Sequence, residues 1–333
     1  MARPPVRLTD VARAAAVSVS TASRALNADS RISEVTRRRV EKASARLGYR
    51  PDLVARGLTL GRTFAVGLVV GDLANPFYAD LARGVEEALD PEGYIYLLAN
   101  SDGDPARQRE LAQRLLDRRV DGLMLTVPYD PATLGLKEVP LVAFDRASSK
   151  VPYVSVDNVL GARMAVEHLL DEGYRQVGIL YARPDDPPVR DRLAGYRAAL
   201  KGAGIASNPA LRMCSRDLGY DAGLDGARQL VAAGADAIFA VDDVIAVAAL
   251  AAAREAGRRV PQDLGVVGFD DTAMASWPSI DLTSVNQSTV RQGREGGAMM
   301  LRLIENPNAR TEPVIIPPQL SVRGSSRRSA GRN

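Results

Sequence analysis

Leu8, Val11, Ala12 and Ala15 recur at the i, i+3, i+4, i+7 steps of a short amphipathic helix, which needs something to pack against. A partner follows at once. After the turn Ala16-Val17, Ser18 is suited to N-cap a second helix running to about Asn27, its hydroxyl accepting an orphan N–H of the first turn. On that helix Ala22, Ala25 and Leu26 share one face. At about 100° per residue, Val19, Ser20, Ser23, Arg24 and Asn27 gather on the opposite one. Ser33 signals a third helix, with Val40, Ala43 and Leu47 on its inner side and Gly48 as its stop. Two helices and a tight turn, braced by a third, predict a small all-α helix-turn-helix head over residues 1–50, with its second helix shaped for a major groove.

Charge points the same way. Residues 1–62 hold 13 Lys and Arg against 5 Asp and Glu, a net of +8, whereas the rest of the chain has a net of −5. A basic excess on so small a unit is the footprint of phosphate binding, although alone it describes a solvated surface equally well.

Asp10-Val11-Ala12, Val17-Ser18 and Thr21-Ala22-Ser23-Arg24-Ala25-Leu26-Asn27 resemble the head of lactose-repressor/galactose-repressor (LacI/GalR) transcription regulators. The likeness extends through Asn75-Pro76-Phe77-Tyr78, Phe144-Asp145-Arg146, Asp157-Asn158, Arg192-Leu193-Ala194-Gly195-Tyr196, Gly268-Phe269-Asp270-Asp271, Leu282-Thr283-Ser284-Val285 with Gln287, and Arg323-Gly324-Ser325-Ser326. Two residues depart from the pattern: Ala16 occupies a turn where the family usually has Gly, and Asp52 a place where it usually has Asn. A positive φ at Ala16 would cost on the order of 1 kcal/mol, which a folded head can carry.

The resemblance implies sequence-specific binding to a pseudo-palindromic DNA operator by a homodimer, since one head covers only a half-site. Arg24 can fork onto guanine O6 and N7, and Val19 and Ser20 occupy positions that vary in the family with operator sequence; Val19 offers a methyl surface to thymine. Thr21, Ser23, Asn27 and Thr36 carry short polar groups suited to phosphate oxygens, though each could equally cap a helix. Residues 51–61 form the next segment. Pro51 to Leu58 is too short to be a stable helix alone, and Gly57 weakens it further. By resemblance it is a hinge helix that folds against its twin in the minor groove, with Leu58 as a wedge and Ala55 beside it; an ordinary linker is the alternative.

Beyond Gly61 the composition changes. Strand-like runs at Phe64–Val70, Tyr94–Ala99, Gly122–Val127, Leu141–Phe144, Val177–Tyr181, Ala237–Val241 and Gly265–Phe269 alternate with helical stretches such as Pro76–Leu89. That rhythm predicts an α/β domain with doubly wound parallel sheets over 62–326, and its length predicts two lobes. Ligands of such folds lie at the C-terminal ends of strands. The resemblance implies a two-lobed domain like the periplasmic sugar-binding proteins, serving effector binding and dimerisation, with the chain crossing between lobes near Asp157, Asn286 and Pro317. It implies contacts to a small-molecule effector, a sugar first, from Asp145, Arg192, Asp242 and Asp270, with Phe77 and Tyr78 along one wall and Gln287 near a crossover. Each Asp could instead cap a helix or bridge the lobes. Asp242 stands where many relatives have Asn, which adds negative charge and argues against a phosphorylated ligand. Trp277 suits either a stack on a sugar face or a subunit interface. Residues 327–333 read as a basic, disordered tail.

Catalysis finds little support. Asp242-Asp243 and Asp270-Asp271 lack a second ligand cluster at metal spacing, and no phosphate loop is visible. His168, the one histidine, fits a structural place, and the lone Cys214 excludes an intramolecular disulfide. Neither enzyme nor cofactor is expected. A ligand-binding protein without DNA function is the competing class, but its secreted relatives carry a signal peptide, whereas Met1 to Val6 lacks an apolar core. No run approaches ~18 apolar residues, so a cytoplasmic protein without membrane contact is expected.

Overall fold

The computed structural model describes residues 6–26, 29–49, 61–126, 139–145 and 151–328, and the chain divides into two compact units, Met1–Thr63 and Phe64–Asn333. In the first, helices α1 (Leu8–Ala14), α2 (Val19–Leu26) and α3 (Glu34–Leu47) enclose Val11, Ala12, Ala15, Ala22, Ala25, Val40 and Ala43. These are the residues that helical spacing assigns to inner faces. Ser18 Oγ accepts the Thr21 N–H at 3.0 Å and Ser33 Oγ accepts the Thr36 N–H at 3.3 Å, so both expected caps are in place. Between α1 and α2 the chain turns at Ala16, with φ +50°. Val17 N–H reaches Ala12 O at 3.0 Å and Ala16 N–H reaches Arg13 O at 3.2 Å, the paired bonds of a helix end that glycine usually closes. The strain expected of an alanine there is thus present, and two backbone hydrogen bonds offset it.

The second unit holds two parallel-sheet lobes. The first sheet orders its strands β11-β5-β4-β3-β1-β2, with β1 Ala65–Val70, β2 Ile95–Asn100, β3 Gly122–Leu125, β4 Leu141–Phe144, β5 Tyr153–Val156 and β11 Val314–Ile316. Helices α4 (Pro76–Leu89) and α5 (Pro105–Asp117) join its strands. The second sheet orders β12-β10-β9-β8-β6-β7, from β6 (Val177–Tyr181), β7 (Arg212–Cys214), β8 (Ala237–Ala240), β9 (Gly265–Asp270), β10 (Thr283–Asn286) and β12 (Gln319–Ser321), the last antiparallel to β10. Around it lie α6 (Asn158–Asp171), α7 (Pro187–Gly202), α8 (Tyr220–Ala232) and α9 (Asp243–Glu255), while α10 (Thr289–Glu305) returns to the first lobe.

The chain passes between lobes after β5, after β10 and after β11, at the three places the resemblance implied. Asp157 N–H donates to Ile316 O at 3.1 Å and ties two of these crossings together. Glycines set how α4 and α10 pack. A Cβ on Gly84 would lie 2.0 Å from Val290 O, and one on Gly293 would lie 2.1 Å from Leu81 O, so the two helices approach at backbone distance.

The C-terminal segment is held further than its composition suggests. Ser326 Oγ lies 2.7 Å from both Thr283 Oγ1 and His168 Nε2, giving the one histidine a packing partner. Arg328 N–H donates to Glu172 at 2.8 Å, and its guanidinium lies 3.9 Å over Tyr174. A disordered tail beginning at 327 is therefore corrected at Arg328, because an aromatic face and a carboxylate hold that arginine. Among the described residues no helix is long and apolar enough to cross a membrane.

Replacing Gly84 or Gly293 by Ala should destabilise the large unit by about 1 to 3 kcal/mol, the usual range for overpacking a close contact. Urea unfolding followed by circular dichroism measures this, and unchanged midpoints for both variants would refute the close approach.

Candidate functional site

The head presents a polar helix face. Ala22 and Ala25 bury one side of α2, which leaves Val19 44% exposed on the other with Ser20 and Arg24 beside it, and Thr21 and Ser23 half-buried at the edges. Ser18 Oγ sits 2.9 Å from Ser20 Oγ and 2.8 Å from Thr21 Oγ1, so both hydroxyls are held near the start of the helix. Thr36 is half-buried at the start of α3, its hydroxyl 2.9 Å from Ser33 Oγ, which gives it a part in that cap. Asn27, Ala55 and Leu58 lie outside the described residues, as do residues 51–60 of the expected hinge.

In the second unit, seven of the eight side chains expected to meet an effector converge on one cleft between the lobes: Phe77, Tyr78, Asp145, Arg192, Asp242, Asp270 and Gln287. Its atom-free space, partly open to solvent, is about 690 Å³. Most are delivered by element ends, and Arg192 by the second turn of α7. Asn75 Oδ1 caps α4 through the Phe77 N–H at 2.9 Å, placing Phe77 and Tyr78 on the first turn with their rings edge to face, centroids 5.1 Å apart. Asp145 follows β4 and Asp270 ends β9, both at positive φ, +72° and +115°. Left-handed backbone at non-glycine residues is strained and gathers at ligand sites.

Arg192 organises the polar floor. It is 8% exposed, donates through Nε to Asn158 Oδ1 at 2.8 Å and through Nη1 to Val241 O, and lies 3.6 Å over the Phe269 ring. Its Nη1 is 3.9 Å from Asp270 Oδ1, which also accepts the Gln287 side-chain amide at 2.6 Å. Asn158 Nδ2 in turn reaches Asp145 at 3.4 Å, and Ser155 Oγ donates to the same oxygen at 2.5 Å. Asp242 caps α9, its Oδ1 accepting the Ile245 N–H at 2.9 Å. Capping and cleft lining are thus both true of Asp242.

Burial dominates the electrostatics. It pushes the Asp242 carboxyl up to about 6 and the Asp243 carboxyl up to about 7, and it raises Asp145 and Asp270 above the ordinary carboxylate range, against the pull of Arg192 on Asp145, Asp242 and Asp270. Tyr78 is raised by burial and by the Asp270 charge across the cleft.

The second carboxylates of the two acidic pairs do structural duty. Asp243 accepts the Thr272 N–H at 2.7 Å, the Thr272 hydroxyl at 2.9 Å and the Ser284 hydroxyl at 2.5 Å; Asp271 pairs with Arg323 at 2.7 Å. Among the described residues no group of three or more His, Cys, Asp or Glu could hold a metal ion. Trp277 is not brought to the cleft: it is 56% exposed, carried off by a short 3-10 turn at Ala273–Ser276 that begins where Asp243 anchors Thr272. Sequence reasoning missed Thr126 past β3, Arg183 and Asp186 past β6, and Leu218 past β7, which also line the cleft. The strand-end rule applied to every strand would have reached them.

A raised carboxyl gives a pH signature. Below the ordinary value of 3.8 the Asp242 carboxyl is protonated in both folded and unfolded chains; from there to about 6 the folded chain binds more proton, so this carboxyl's contribution to stability falls as pH rises. Asp242→Asn removes that term. Its unfolding free energy relative to the parent should increase between pH 4 and pH 7 in urea titrations without ligand, and a pH-independent difference would contradict the assignment.

Comparison with known proteins agrees with this geometry. Residues 7–52 match the family described as bacterial regulatory proteins, lacI family, and residues 166–326 match a periplasmic binding protein-like domain. The ribose operon repressor of Escherichia coli (strain K12) is 34% identical over 328 residues, 96% of this chain and 99% of that protein. Among solved structures, the Lac repressor dimer bound to operator and the anti-inducer ONPF aligns with a TM-score of 0.84 at 28% identity, covering 97% of this chain and 99% of that one. The transcriptional regulator CelR-cellobiose complex aligns with a TM-score of 0.72 at 34% identity, covering 97% and 100%. With an exposed polar helix on a three-helix head and a buried polar cleft between two parallel-sheet lobes, the chain belongs to the LacI family of bacterial regulatory proteins.

Proposed function

We propose that this chain is a ligand-controlled transcription regulator, a repressor of carbohydrate-related genes, which binds a pseudo-palindromic operator as a homodimer. The observation that carries the reading is the pairing, within one chain, of an exposed polar face on α2 with a buried cleft of carboxylates, guanidinium and aromatic rings. The first is suited to base edges and phosphates, the second to a polyol. Relatives named for ribose and cellobiose support a sugar as the effector.

Specificity is assigned to Arg24 with Val19 and Ser20, and positioning to Thr21, Ser23, Asn27 and Thr36. Ala55 and Leu58 are assigned to the minor groove, where a wedge side chain costs a few kcal/mol in unstacking that new contacts must offset. Phe77, Tyr78, Asp145, Arg192, Asp242, Asp270 and Gln287 are assigned to the effector. Binding there shifts the population of lobe arrangements and, through residues 51–61, the affinity for DNA. The protein acts by binding, with no chemical step assigned to it.

Arg24→Ala should leave salt-sensitive binding to random duplex within about two-fold, while the preference for an operator selected from random DNA falls by about ten-fold or more, the value of a bidentate guanine contact. Fluorescence anisotropy with the two duplexes at matched salt measures both. An unchanged preference removes Arg24 from base readout, and failure of the parent to retard any selected duplex in a gel overturns the DNA-binding reading in favour of a pure ligand binder.

A further inference from the structure

Asp242 is 3% exposed, and only one of its oxygens is used. While Oδ1 is committed to the α9 cap, Oδ2 has no hydrogen-bond partner among the described residues, although it is buried and Asp242 lines the cleft. A buried carboxylate oxygen without a well-formed hydrogen bond calls for a further donor, beyond the Val244 N–H that also acts on this carboxyl at the start of α9. Its surroundings say which kind of donor. Asp72 from the first lobe and the neighbouring carboxylates Asp243 and Asp270 from the second add negative potential, and among the described residues Arg192 exerts the largest cationic pull on Asp242. That guanidinium binds Asn158 through Nε and Val241 through Nη1, and its Nη1 is shared with Asp270 at 3.9 Å. Among the described residues of the lining, Asp145, Asp186, Asp242 and Asp270 stand against Arg183 and Arg192, and Arg183 turns its Nη2 toward the Asp102 carbonyl at 3.3 Å.

Resting on the reading of the cleft as a polyol site, we propose that the effector is a cationic polyol, an amino sugar or amino alditol, whose ammonium group docks on the open Oδ2 of Asp242. A hydroxyl would fill the hydrogen bond but leave unrelieved the mutual repulsion by which Asp242, Asp243 and Asp270 hold one another's carboxyls up. An ammonium group satisfies both. The same imbalance disfavours a phosphorylated sugar at this end of the cleft. Proton affinity follows as a competing effect: the carboxyl, poised at about 6, takes up a proton at lower pH and then no longer attracts a cation.

The test uses matched pairs that differ by one amine for hydroxyl exchange: glucose with glucosamine, galactose with galactosamine, and sorbitol with glucamine. Each is titrated calorimetrically into the full-length chain at pH 7 and pH 5. The inference requires that, in at least one pair, the amine bind at least ten-fold more tightly than its neutral twin at pH 7. The preference should shrink at pH 5 in the unmodified chain and vanish in Asp242→Asn, with circular dichroism melting verifying that the variant is folded. Should the neutral twin bind as tightly in every pair, or the preference survive in Asp242→Asn, the cationic effector is wrong while the polyol site stands. Should no member of any pair bind, both fall.

Discussion

A guanidinium withdrawn from water must recover its hydration as hydrogen bonds, and Arg192 does this with partners from several elements. Asn158 opens the helix that follows the first crossing between lobes, Val241 follows β8, and Asp270 ends β9. Through Asn158 the network reaches Asp145 on the first lobe, and through Asp270 it reaches Gln287 at the second crossing, where Gln292 Nε2 donates to Gln287 O at 2.8 Å. The floor of the cleft and two of the three strands that join the lobes are therefore one bonded set. A group that enters the cleft and competes for any member acts on the junction between lobes.

This arrangement carries its own instability. Three buried carboxyls and the half-buried Asp145, all raised above their ordinary range, are held by packing and, at Asp145 and Asp243, by short hydroxyl bonds, with one buried guanidinium among them. Two of them sit on left-handed backbone. Such strain persists only where the surroundings over-determine it, and here the surroundings are the first-lobe core around Phe144 and the core that packs α6 and α7 against the second sheet around Phe269. The cost is carried by the fold, and a ligand that supplies donors lowers it. That is the physical basis on which a small molecule can favour one lobe arrangement over another.

Much of this was legible in residue order. Val11, Ala12, Ala22, Ala25 and Val40 declare their inner faces by spacing, and Leu141–Phe144, Val177–Tyr181 and Pro76–Leu89 match their observed limits, because long apolar runs and strong caps leave few alternatives. The strands Arg212–Cys214, Val314–Ile316 and Gln319–Ser321 did not announce themselves: three residues carry no period, and their pairing comes from sheets already formed. Seven cleft residues were reachable through the resemblance and the strand-end rule, while Trp277 was misplaced because the turn that carries it away depends on a long-range bond from Asp243 to Thr272. The open oxygen of Asp242 was out of reach for the same reason, since only three-dimensional neighbours reveal what a carboxylate lacks.

Control of DNA binding from the cleft requires energetic coupling between the two sites, and coupling of binding sites is reciprocal. The most direct measurement is therefore a closed cycle on the full-length chain: the affinity of the sugar or amino sugar that fills the cleft, with and without operator, and the affinity of operator with and without that ligand. Each partner should change the other's affinity by the same factor, of about five-fold or more. Ligand affinity that is identical on free and operator-bound protein would contradict it.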